Sequence, residues 1–152
     1  MVSYHYEAVH WRLPNPSEVS AWLLEIAQRH RREIGELNFL FANDEHIRYL
    51  NQKYLQHDYY TDILTFDFTA DFAFPLLRDE VTADEPPLYV DIYISLDRIQ
   101  ENATELDIPW LDELHRVMVH GLLHTLGFND DSDANQTQMR KQEDIALGLR
   151  MF

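Results

Sequence analysis

The spacing of apolar residues changes several times along the chain, and each change marks an element. Tyr4, Tyr6 and Ala8 alternate with Ser3, His5 and Glu7, the period of two expected of a half-buried strand, which Pro14 and Pro16 end. Ser17 caps a helix to about Arg32 whose stripe is Val19, Trp22, Leu23 and Ile26, and Gly35 closes it. Glu36 to Ala42, rich in Leu and Phe, has the length of a strand, and Asn43 or Asp44 caps a second helix through Ile47, Leu50 and Tyr54. Ile63 to Phe68 and Leu88 to Ser95 read as two further strands, the latter opposing Val90, Ile92 and Ile94 to Tyr89, Asp91 and Tyr93. Between them Ala70 to Pro87 reads as an acidic, proline-containing loop. Ser95 or Asp97 caps a short helix to about Leu106, and Pro109 opens a longer one to about Leu126. Asp133 and Gln136 have the spacing of a capping box for a last helix.

These elements predict one α+β domain over residues 1–152, a mixed sheet of about four strands packed with about five helices. The strand-helix succession from Glu36 to Tyr54 implies at least one parallel pairing.

The helix from Pro109 to Leu126 is apolar around most of its circumference: Leu114, Val117, Met118, Leu122 and Leu126 make one face, and Val119 and Leu123 extend it. Such a helix is expected at the centre of the fold. Its exception is the line Glu113, Arg116, His120, His124, Gly127, which steps of three and four keep on one stripe. His120 and His124 lie about 40° apart around the axis. Buried imidazoles need partners, and this spacing is the one used on zinc-binding helices. The alternative is two histidines facing solvent or bonded to backbone. Beyond Gly127, an aspartate of the run Asn129-Asp130-Asp131-Ser132-Asp133 can fold back as a third ligand, or the run can be a polar turn and cap. His115, five positions before His120, is rotated off the stripe and reads as structural.

Composition narrows the chemistry. With no cysteine among 152 residues, a transition metal must be held by His, Asp or Glu. A formal charge of -15 argues against a general nucleic-acid surface. The one dense basic run, Arg29-His30-Arg31-Arg32, reads as cations at a helix C-terminus. No apolar run is long enough to cross a bilayer and no signal segment is recognisable, so a cytoplasmic protein without membrane contact is expected.

Three segments carry a resemblance. His120-Gly121-Leu122-Leu123-His124-Thr125-Leu126-Gly127-Phe128-Asn129-Asp130 is similar to His-Gly-x-Leu-His-x-x-Gly-Tyr-Asp-His, the hallmark of the YbeY family. Asn51 to Phe66 resembles that family's Asn-x-x-Tyr-Arg-x-x-Asp-x-x-Thr-Asp-Val-Leu-Ser-Phe, with Asp58, Thr61, Asp62, Leu64 and Phe66 agreeing. Val90-Asp91-Ile92-Tyr93-Ile94-Ser95 resembles its Gly-Asp-Ile-x-Ile-Ser strand. The family comprises metal-dependent endoribonucleases and ribosomal RNA maturation factors of bacteria.

The resemblance implies one zinc ion on His120, His124 and Asp130, Asp130 standing where the family has a third histidine and being preferred over Asp131 on that spacing. Ni2+, Mn2+ or Fe2+ suit the same donors, whereas calcium and magnesium prefer oxygen shells. It implies a hydrolase in which a metal-activated water cuts single-stranded RNA in rRNA maturation, at the 3′ end of 16S rRNA, and in ribosome quality control. The implied partners are ribosomal RNA and ribosomal proteins, not DNA. Two departures stand out: Leu55 occupies the place of the family's arginine, with His57 nearby, and the carboxylate of Asp130 weakens the metal as a Lewis acid. Asp58 and Asp62 read as turn formers, or as groups that orient ligands or act as a base, and the general base stays unassigned. The competing classes are a non-cleaving ribosome-assembly factor with a structural metal, and a metallopeptidase, against which Gly121 stands where His-Glu-x-x-His has its glutamate.

Overall fold

The computed structural model describes residues 1–73 and 85–152. Its elements run β1 (Val2–Tyr6), α1 (Pro16–Arg29), β2 (Ile34–Ala42), α2 (Asp44–Leu55), β3 (Ile63–Asp67), α3 (Thr69–Ala73), β4 (Leu88–Ser95), α4 (Leu96–Leu106), α5 (Trp110–Thr125) and α6 (Asp133–Gly148). The fold is α+β, with one four-stranded sheet and six helices among the described residues. The sheet order is β1-β2-β4-β3, parallel across the first three and antiparallel between β3 and β4.

Alternation along the strands divides the apolar residues between two faces. Leu37, Phe39 and Phe41 of β2 and Val90, Ile92 and Ile94 of β4 bury one face against Val19, Trp22, Leu23 and Ile26 of α1 and the apolar side of α5. The other face is smaller: Leu64, Leu40, Phe66 and Tyr93 meet Ile47 of α2. Helix α5 therefore lies in the larger core, with its residues from Glu113 to Leu123 buried except Arg116 and His120.

Several boundaries differ from those expected, each for a local reason. Strand β1 stops at Tyr6 because Ala8 turns left-handed at φ 57°, well before the prolines. Asn15, not Ser17, is the N-cap of α1, with Pro16 supplying the pre-set first turn. That helix ends at Arg29 by turning at Arg31, also left-handed at φ 59°, so Gly35 does not close it. Gly35 instead lies in β2, where a Cβ would come within 2.5 Å of the Tyr89 ring. Asn43 and Ser95 cap α2 and α4 by accepting the backbone N–H of His46 and Arg98, as their types favour. Pro109 precedes α5 as its N-cap. Ser132 caps α6 by accepting from Asn135 N at 3.1 Å, displacing the expected capping box at Asp133 and Gln136. The expected loop from Ala70 begins as α3, and its residues 74–84 lie outside the described part.

Candidate metal centre

The last two turns of α5 and the reversal that follows build the site. Leu126 ends the helix, Gly127 adopts φ +108°, Gly127 N donates to His124 O and Phe128 N donates to Leu123 O, both at 3.1 Å. That pair of bonds is a Schellman closure, and glycine supplies its left-handed residue without steric cost. Phe128 then packs edge-to-face on His30, 5.3 Å between ring centres, which ties the reversal to the end of α1. The chain returns along α5 with Asp130 opposite the two imidazoles.

Asp131 points elsewhere, since its Oδ1 accepts from Asn135 at 2.6 Å. Gln136 Nε2 donates to the Asp130 carbonyl at 3.1 Å and fixes the backbone there. The Asp130 carboxylate is thereby left to His120 Nε2 and His124 Nε2, each 3.5 Å from one of its oxygens. One ligand atom from each of these three residues lies within 4.8 Å of the others. Bonds of about 2.1 Å in a tetrahedral zinc site separate neighbouring donors by about 3.4 Å. The donor set thus fits one divalent ion in chemistry, and the two Asp130 oxygens stand near this spacing from the imidazoles they face.

The other nitrogen of His120 is held as well. Its Nδ1 donates to Glu143 Oε2 at 2.7 Å, while Arg116 Nη1 donates to Glu143 Oε1 at 3.0 Å and Arg116 Nη2 to Asp144 at 2.8 Å. Burial alone would raise the Glu143 carboxyl, but the hydrogen bonds from His120 and Arg116 outweigh it and hold the group below the ordinary glutamate range. An ionised Glu143 can only accept, so Nδ1 carries a proton, and in the neutral ring Nε2 is the nitrogen left to face Asp130 with its lone pair. On His120 itself burial disfavours positive charge, yet Glu143, Asp130 and Asp62 together raise its pKa. Carboxylates that favour a proton there favour a cation equally.

His120 and Asp130 open onto a cleft of about 290 Å³ lined also by Asp62, Glu113, Arg116, Gln136, Arg140 and Glu143. Asp62, just before β3, has its carboxyl raised by burial against the lowering influence of His120, the backbone N–H groups of Asp62 and Ile63, and Asn102. Glu113 is raised by burial and then by the negative charge of Asp62. Asp58 behaves differently, pairing on the surface with Arg48 at 2.8 Å. Leu55 is exposed at the end of α2, and His57 meets the Tyr59 hydroxyl at 3.1 Å, also on the surface. His115 is buried away from the cleft, its Nδ1 accepting from Arg150 at 2.9 Å. Sequence reasoning missed Glu143 altogether. Its signal was a carboxylate on the apolar stripe of the last helix, four residues after Met139 and three before Ala146.

The family model described as Endoribonuclease YbeY matches residues 11–149. Among the relatives, Endoribonuclease YbeY of Cytophaga hutchinsonii is 38% identical over 151 residues, 99% of this chain and 96% of the relative. That of Amoebophilus asiaticus is 36% identical, covering 96% of this chain and 90% of its own. That of Porphyromonas gingivalis is 40% identical over 85% of this chain and 76% of its own. The solution structure of TM1509 from Thermotoga maritima superposes with a TM-score of 0.61 at 24% identity, over 97% of this chain and 87% of that one, a likeness of fold. With the family model spanning all but the ends and relatives this similar over nearly their whole length, the chain belongs to the endoribonuclease YbeY family.

Proposed function

We propose that this chain is a metal-dependent endoribonuclease, a hydrolase acting on single-stranded RNA, with residues 1–152 as one catalytic domain. The observation that carries the reading is the convergence of His120, His124 and Asp130, whose ligand atoms lie within 4.8 Å of one another, with His120 and Asp130 lining an acidic cleft. Family membership supports RNA as the substrate and does not favour the assembly-factor or peptidase readings. Ribosomal RNA, at the 3′ end of its 16S precursor, is the substrate the family resemblance suggests, and ribosomal proteins the accompanying partners. No helix of the described residues is long and apolar enough to cross a membrane, in keeping with a cytoplasmic setting.

His120, His124 and Asp130 would hold zinc, with nickel, manganese or iron acceptable to the same donors. When bound, the ion supplies a Lewis acid that activates water and polarises a phosphodiester. The chain's own residues do the remainder. Glu143 fixes the tautomer and ring orientation of His120, and Arg116 keeps Glu143 ionised and in place. Asp62 lines the cleft with its carboxyl raised by burial, a group placed there to take or give a proton at Oδ1 or Oδ2.

The test is single-stranded RNA cleavage together with elemental analysis of the purified protein, its His124→Ala variant and its Asp130→Ala variant. Cleavage that vanishes with either substitution, and with chelator, is expected, along with sub-stoichiometric metal in both variants. Equal cleavage by wild type and His124→Ala would assign the activity to a contaminant. Stoichiometric metal retained by Asp130→Ala would remove that residue from the ligand set.

A further inference from the structure

Helix α6 turns one face to the cleft, where Gln136, Met139, Arg140 and Glu143 recur at steps of three and four, as one helix face requires. Three of the four have a partner within the protein. Gln136 braces the Asp130 carbonyl, Met139 is packed in the core, and Glu143 receives His120 and Arg116. Arg140 is exposed, and among the described residues its guanidinium enters no ion pair or hydrogen bond. It nevertheless lies near enough to the buried end of the cleft to lower the Glu113 carboxyl against the push of burial.

Charge at the cleft makes that position consequential. Asp62, Glu113, Asp130 and Glu143 bring carboxylates to the lining, and of its two arginines Arg116 is committed to Glu143 and Asp144. A phosphodiester entering this site would meet mostly negative charge, on a chain whose formal charge is -15. It needs an uncommitted cation, and a planar guanidinium can donate two parallel hydrogen bonds to one phosphate. We propose that Arg140 receives a backbone phosphate of the RNA and so positions the strand beside His120 and Asp130. The inference rests on the endoribonuclease reading above and names a contact that this reading leaves unassigned.

The experiment titrates a short labelled single-stranded RNA into the metal-loaded full chain at several salt concentrations, with RNA integrity checked after each titration. Wild type is compared with Arg140→Ala, Arg140→Lys and Lys141→Ala, the last removing an exposed cation that does not line the cleft. Arg140→Ala is expected to weaken binding by about 10-fold or more, the size of a lost charged hydrogen bond. The slope of log affinity against log salt should fall by about 0.7, one phosphate contact on a single strand. Lysine should restore part of both, Lys141→Ala should change affinity far less, and metal content and Tm should stay at wild-type values. Unchanged affinity and slope in Arg140→Ala would overturn the inference, as would an equal loss in Lys141→Ala. A loss accompanied by a fallen Tm or lost metal, without rescue by lysine, would overturn it in favour of a structural role. Wild type that binds no RNA would overturn the function reading too, and is recognised before any substitution is made.

Discussion

His115 shows how strongly a single buried group can depend on its surroundings. It sits beside Trp22 and Phe152, its Nδ1 accepts from Arg150, and its buried Nε2 has no partner among the described residues. Burial, and then the positive charge of Arg150, push the imidazole down to about 4, with Asp112 opposing. An unfolded histidine titrates near 6.5, so between these values the unfolded chain takes up a proton that the folded chain refuses. Stability is therefore fully present above about pH 6.5 and falls as pH drops toward 4, by about 3 kcal/mol from this group. His115→Gln keeps an acceptor for Arg150 and removes the titration. Urea unfolding at pH 7 and pH 4.5 should show a smaller acid loss in the variant, and equal losses would show that His115 is not the group responsible. The position of His115 off the ligand stripe was legible in the sequence, because helical geometry alone sets it. Glu143 was not, because its partner His120 is 23 residues away and only the packing of α6 on α5 brings them together.

Among the elements, strands and helices with strong periodicity were legible to within a few residues, and β4 was read to its exact ends, Leu88 and Ser95. Ends set by left-handed residues were not, since Ala8 and Arg31 adopt positive φ that their side chains do not advertise. The contact of α5 with the sheet is tight. A Cβ at Gly121 would stand 2.9 Å from the Cδ1 atoms of both Ile63 and Ile92, so α5 approaches β3 and β4 at glycine distance, one residue after His120. Gly121→Ala gains about 1 kcal/mol of helix propensity and loses about as much to overpacking, because the atoms it meets are the movable ends of two isoleucines. Its net effect should be within about 1 kcal/mol of zero. Gly121→Val adds a β-branched side chain with two further methyl groups in the same space, and should cost about 2–3 kcal/mol. Denaturant unfolding of the pair tests this, and a valine variant as stable as wild type would mean that the helix can stand off from the sheet without penalty.

For the whole molecule, the proposed metal adds a direct link between α5 and the turn at Asp130, which is otherwise held by the reversal at Gly127 and by the bond from Gln136 of α6. His120 and His124 belong to α5, which is anchored in the core, whereas Asp130 lies in the exposed turn before α6. An ion bound by all three can bind only when the turn is folded back, so metal binding is linked to folding. At about 100 times its dissociation constant, free metal stabilises the folded chain by about 2.7 kcal/mol. For a domain of this size each kcal/mol raises Tm by about 2–4 °C, so a rise of roughly 5–10 °C over chelated protein is expected. Glu143→Gln keeps the shape of the group beside His120 Nδ1 but removes its charge, and loss of such a partner lowers metal affinity about 10- to 100-fold. At the same metal concentration, about half or more of the Tm rise should therefore disappear in Glu143→Gln, and all but a remnant in Asp130→Ala, with the chelated Tm of Asp130→Ala near that of chelated wild type. A metal-induced rise of the same size in wild type and Asp130→Ala would place the ion elsewhere on this acidic chain, because only a site that includes Asp130 couples the turn to α5.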